Sequence, residues 1–155
     1  MTAAPPDPGT RDAALARAAQ DFDSGAFLET LAPLIAIPSE SQNPDRGAER
    51  RQYLEAGIAP LLDAMGYDWQ IHPNPTGADL PLLVARRVED PALPTVLTYG
   101  HGDVILGQEG AWSNGRDPWT LSLEGDGDGD GNGARVYGRG VADNKGQHVT
   151  NIRAL

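Results

Sequence analysis

The sequence predicts an α/β fold, and three observations carry that prediction. Segments of helical period fill residues 10–65. Shorter segments of strand character, separated by Pro, Asn and Gly, follow them. One of these, "PTVLTYG" at residues 94–100, is a continuous apolar run and reads as a buried central strand.

Each element has a local cause. Residues 1–9 are Pro-rich and are expected to fray, which leaves 10–155 as one domain. Thr10 is a suitable cap for an Ala-rich helix running to about Asp21. Ser24 can cap a second helix, whose apolar stripe is Phe27, Leu28, Leu31, Leu34 and Ile35, and Pro38 stops it. "SESQNPDRG" reads as a loop. A third helical pattern runs from about Ala48 to Met65, with Pro60 expected to kink or divide it and Gly66 placed to cap it. "YDWQIH" and "PLLVARRV" precede the central run as strands. "WTLSLE" and "ARVYG" form two short ones later. A last helix begins at Asp143 and is still in mid-pattern at Leu155, which suggests a truncated chain.

Composition narrows the function. The 155 residues carry a formal net charge of −10, unsuited to the phosphates of nucleic acid or to an anionic membrane surface. With no cysteine, a metal would be held by His and carboxylate alone. No apolar run approaches the ~20 residues that span a bilayer. The N-terminus lacks the apolar core of a secretory signal, so a cytoplasmic location is expected.

The stretch "LEGDGDGDGNGARVYG" imitates the first half of a calcium loop. Asp126, Asp128 and Asp130 alternate with glycine, and Gly131 occupies the sixth position. The twelfth position is Tyr137, which supplies no bidentate carboxylate, and the flanks are strand-like. A solvated hairpin tip is the expected structure. A calcium-binding or purely structural module built on Asp126–Asp130 is the alternative reading of the whole chain.

Stronger chemical signals lie on either side. His101 and Asp103 directly follow the apolar run, where ligands of open α/β sheets bind. Taken alone, such a His is more often hydrogen-bonded structure. In "VYGRGVADNKGQH", Gly138 and Gly140 permit a tight turn and Asp143 opens a helix, where an Asp is usually only a cap. His72 reads as a surface residue and His148 as a structural one. Lys145 is expected to pair with a carboxylate, and Gly146 to allow close packing. Trp112 and Trp119 are expected in the core, and Arg139 in an internal ion pair.

Together these motifs resemble one family. "LIAIPSESQNP", "PTVLTYGHGDV", "DPWTLSLE" and "VYGRGVADNKGQ" occur in the order found in the aminoacylase and carboxypeptidase family of co-catalytic zinc metallopeptidases. That family includes acetylornithine deacetylase, succinyl-diaminopimelate desuccinylase and bacterial dipeptidases. The resemblance implies a three-layer sandwich with a mostly parallel central sheet between helices. It implies two divalent metal ions, Zn2+ foremost, with Co2+ or Mn2+ also suited to the donors. His101 would ligate one metal and Asp143 would bridge both. Asp103 would be the catalytic-site carboxylate that orients His101 through its other ring nitrogen. A cis peptide is implied at Asp143–Asn144. Between Leu123 and Tyr137 the Gly-Asp run would be an expanded turn.

The implied reaction is hydrolysis of an amide bond in a small peptide or N-acyl amino acid. The general-base Glu, its partner Glu, a further acidic ligand, a distal His and a dimerisation domain would all lie beyond Leu155. The chain alone is therefore expected to be inactive, with an incomplete sheet and exposed apolar faces that favour aggregation.

Overall fold

The computed structural model describes residues 9–125 and 133–155. Helix α1 (Arg11–Asp23) begins at Thr10, whose hydroxyl accepts the Ala13 N–H at 3.2 Å. Helix α2 (Ala26–Ile35) follows after Gly25, which holds the left-handed conformation between the two helices (φ 80°). The Ser24 hydroxyl accepts the Ala26 N–H, so the expected cap acts from one residue further out.

The third helical pattern divides as Pro60 requires, but upstream of it. Helix α3 (Gly47–Gln52) passes into a π-helical stretch at Tyr53–Ile58, then into α4 (Ala59–Ala64) with Pro60 in its first turn. Proline has no N–H to give to the preceding turn, so the ladder widens just before it. Gly66 ends α4 at φ 75°.

Strands β1 (Asp68–His72) and β2 (Leu82–Arg86) form an antiparallel hairpin, with Asp68 opposite Arg86 and His72 opposite Leu82. Strands β3 (Ser122–Glu124) and β4 (Arg135–Tyr137) form a second antiparallel pair. The connection between them includes Asp126, Asp128 and Asp130, which lie outside the described residues. Helix α5 (Lys145–Ala154) closes the chain.

One expectation needs correction, and a second is met only in part. Residues 94–100 adopt no strand, and Val96, Leu97 and Tyr99 are 79%, 94% and 77% exposed. A strand exists only where a neighbour takes its backbone hydrogen bonds, and both described sheets are two-stranded and pair elsewhere. Second, a three-layer sandwich on a mostly parallel sheet is not what the described residues form: the parallel pairing among them is a single bridge, Glu40 to Val104.

The core is helical. Leu31, Leu34 and Ile35 of α2, Tyr53 and Ile58 of the π-helical stretch, Leu62 of α4, and Val149 and Ile152 of α5 are buried together. Each such side chain contributes roughly 1.5–3 kcal/mol by leaving water. Trp69, Leu83 and Ala85 lay one face of the hairpin on this core, while Leu82 and Val84 point outward. No helix among the described residues is long and apolar enough to cross a membrane.

Candidate metal centre

The site is assembled on the chain that leaves α2. Residues 39–41 run beside residues 102–104. Val104 N–H donates to the Ser39 carbonyl at 3.0 Å, and Ser41 N–H donates to the Val104 carbonyl at 2.9 Å. The Ser39 hydroxyl donates to the Gly102 carbonyl. Glu40 is buried, and its carboxylate accepts the Gly107 N–H at 2.6 Å and the Asn43 side-chain amide at 2.9 Å. Gly102 lies against the face of Tyr53, where an added Cβ would overlap the ring. These contacts fix the loop that carries His101 and Asp103.

The second half comes from the turn before α5. Gly140 (φ 92°) allows the chain to reverse beside Val104. The Asp143–Asn144 peptide is cis. Asn144 Oδ1 accepts the His101 N–H at 3.2 Å. His101 Nε2 lies 3.2 Å from Asp143 Oδ1, and His101 Nδ1 lies 3.1 Å from Asp103 Oδ1. Residues about forty positions apart thus meet at one imidazole.

The three side chains are brought together, but not around one point. Asp103 and Asp143 lie on opposite edges of the ring, so only Asp143 shares a side with Nε2. Consistently, among the described residues no three His, Cys, Asp or Glu side chains form a group able to hold a metal. Imidazole nitrogen with carboxylate oxygen is a donor pair that suits zinc. Asp143, whose side chain is 81% exposed, leaves room for an ion.

Other residues fall out differently from their sequence reading. Among the described residues Lys145 meets no carboxylate. Its Nζ donates to the Leu34 carbonyl at 2.8 Å and the Ile37 carbonyl at 2.6 Å, 5.2 Å above the Tyr53 ring. Burial lowers its pKa to about 7. Gly146 allows the Val141 carbonyl to come so close that a Cβ would strike it. His148 Nδ1 lies 3.2 Å from the Tyr53 hydroxyl; burial, then the nearby His101 charge, lowers its pKa to about 4. Arg139 stacks over Trp112 and donates to the Gly107 carbonyl, in place of the expected ion pair. Trp112 and Trp119 are half-buried around the same loop; their indole N–H groups donate to the Gly107 carbonyl and to Glu109.

A cleft of about 480 Å3 opens beside the imidazole, lined by Tyr53, Leu83, Tyr99, His101 and His148 among others.

Sequence reasoning missed Ser39, Glu40 and the partner of Lys145. A signal for them exists. A helix that ends before proline leaves carbonyls without donors, and "IPSES" puts polar side chains directly after an apolar helix. Those groups must find partners inside the fold.

Comparison with known proteins gives this geometry its family. No family profile matches the chain. The β-Ala-His dipeptidase of Mus musculus is 33% identical over 146 residues, covering 87% of this chain and 27% of that enzyme. The cysteinylglycine-S-conjugate dipeptidase of Corynebacterium striatum is 34% identical, covering 83% of this chain and 26% of its own. Acetylornithine deacetylase of Proteus mirabilis is 32% identical, covering 83% and 30%. The solved structure of the dipeptidase Dug1p from Saccharomyces cerevisiae superposes with a TM-score of 0.68 at 28% identity, over 90% of this chain and 30% of that one. The class defined by fold and motifs is that of dipeptidases and deacylases, and the chain belongs to the metallopeptidase family that contains them. It spans about a quarter to a third of the length of these relatives.

Proposed function

We propose that this chain contributes the first part of the catalytic unit of a cytoplasmic, metal-dependent hydrolase that cleaves amide bonds in small peptides or N-acyl amino acids. The observation that carries the reading is His101, held between Asp103 and Asp143 at 3.1 and 3.2 Å, in a chain 33% identical to a dipeptidase and 32% identical to a deacetylase.

His101 Nε2 and Asp143 are the metal-facing donors. Asp103 accepts the hydrogen bond of Nδ1–H, with its carbonyl and carboxylate oxygens each 3.1 Å away, which selects the tautomer whose Nε2 lone pair is free and makes the ring a better ligand. In a dizinc centre Asp143 would also help to hold the second ion. Bound metal would supply an activated water and polarise the scissile carbonyl. The described residues supply too few donors for that centre and no general base beside it. We infer that the 155 residues alone are inactive, that the remaining donors come from further polypeptide, and that this also completes a three-layer sandwich on a parallel sheet and supports a homodimer.

A zinc titration by calorimetry tests the ligand roles. The chain is expected to bind Zn2+ weakly, and His101→Ala and Asp143→Asn are each expected to abolish that binding. Uptake unaffected by both substitutions would overturn the assignment. Hydrolysis is assayed on β-Ala-His, a cysteinylglycine conjugate and N-acetylornithine. Turnover of any of them by the zinc-loaded 155-residue chain would refute the claim that the site is incomplete.

A further inference from the structure

The two halves of the site are anchored to the same eight residues, 34–41. On one side, Ser39 and Ser41 hold the strand-like stretch 102–104 that follows His101. On the other, the Leu34 and Ile37 carbonyls receive the ammonium of Lys145, two residues after Asp143. Those carbonyls sit at and just past the C-terminal end of α2, where unsatisfied acceptors and the helix dipole favour a cation. The Lys145 stem passes Gly140 and Val104: a Cβ on Gly140 would lie 3.0 Å from both side chains. Lys145 is fully buried.

We propose that Lys145 is a positioning residue that sets the spacing between His101 and Asp143. It ties the Asp143–Asn144 turn to the segment that also carries the His101 loop. Its functional meaning rests on the reading of His101 and Asp143 as metal donors, while its geometry does not. A buried ammonium is a costly way to fill a core, since desolvation opposes it and an apolar chain of equal volume packs as well. What an apolar chain lacks is direction: hydrogen bonds to two fixed carbonyls define where residue 145 sits, and hence where residues 143 and 144 point.

Amide hydrogen exchange, followed by NMR on the metal-free chain, separates this role from simple stabilisation. The His101 N–H reports the joint between the halves, because Asn144 accepts it. The Val104 N–H reports the other anchor, because Ser39 accepts it. Lys145→Met keeps the stem and removes the donors. Val149→Ala, in the core one turn along α5, is the control for general destabilisation. Lys145→Met is expected to accelerate His101 exchange at least tenfold relative to the control, with Val104 exchange matching the control. Acceleration of both amides in the same ratio, or of neither, overturns the proposal. If Lys145→Met does not fold, Lys145→Gln, with an amide donor on a shorter stem, is read by the same criterion.

Zinc titration of the same samples keeps the two readings apart. Where wild-type chain binds zinc through His101 and Asp143, the Kd is expected to rise about tenfold in Lys145→Met relative to the control, and an unchanged Kd overturns the proposal. Where it does not, the metal reading fails, and the exchange pattern alone decides whether Lys145 positions the turn.

Discussion

Two apolar stretches of similar character meet opposite fates. In "LAPLIAI", residues 31–37, Leu31 and Ile35 are fully buried and Leu34 is 2% exposed. In "TVLTY", residues 95–99, Val96, Leu97 and Tyr99 are among the most exposed large side chains. Hydrophobicity alone does not separate them, because Val96 and Leu97 are as apolar as Leu34 and Ile35. The first is largely helical, so its backbone is satisfied within itself and its side chains need only one packing partner, which α5 and the π-helical stretch provide. The second is extended, so both its backbone and its side chains need neighbours. Burial follows from which elements are at hand, as well as from the residues themselves.

The largest test of this contrast is truncation in each stretch. Leu34→Ala is expected to cost about 3 kcal/mol in urea denaturation, since a cavity opens in the core. Leu97→Ala is expected to change stability by less than about 0.5 kcal/mol. Equal losses would mean that residues 95–99 are packed in solution, and the contrast would collapse.

Gly102→Ala probes the contact between the loop that follows the exposed stretch and Tyr53 of the core. The added methyl overlaps the Tyr53 ring, so a loss of about 1–3 kcal/mol is expected, together with shifted His101 resonances. An unchanged melting curve and spectrum would show that the loop does not rest on Tyr53.

His148 gives the same packing a pH signature. It is half-buried and kept neutral, with its pKa lowered from 6.5 to about 4. The unfolded chain therefore binds a proton that the folded chain refuses between those values. Stability from this group is complete above pH 6.5 and is lost as the pH falls toward 4. Denaturation midpoints measured across that window should fall more steeply in wild type than in His148→Asn; parallel curves would contradict the burial.

Helix α1 sharpens the comparison from the other side, because it is helical yet buries no residue. Apart from the pairing of Asp21 with Arg153 of α5 it relies on local terms, so Thr10→Ala is expected to weaken it by about 1 kcal/mol. The change should register as lost helical circular dichroism with little effect on the main unfolding transition. Last and smallest in stability, Leu97→Lys should leave the denaturation midpoint in place while reducing self-association in light scattering, because it breaks an exposed apolar run. Unchanged scattering would place the association surface elsewhere.

Much of the fold was legible because its signals are local. Thr10 as a cap, Gly66 as a stop, Pro60 as a divider and the four short strands follow from residue-level stereochemistry. The family was legible because "GHGDV" and "GRGVADNKGQ" occur in the family's order. What stayed hidden was pairing at a distance. Nothing near Lys145 in sequence announces that its ammonium reaches the end of α2, 108 and 111 positions away. The polar residues of "IPSES" announce a need for partners inside the fold, but not that Ser39 and Glu40 find them in the loop of His101. For residues 94–100, the apolar pattern reports a preference for burial, and the partner that would satisfy it is not among the described residues.

The sequence by itself determined most of the helices, the hairpin strands and the lack of cysteine in these 155 residues, because each depends on the chemistry of a few adjacent positions. Only the tertiary structure decided that His101 stands between Asp103 and Asp143, that Lys145 caps a helix instead of pairing with a carboxylate, and that "TVLTY" stays exposed. Those outcomes depend on long-range hydrogen bonds and packing, which exist only once separate parts of the chain are brought into contact.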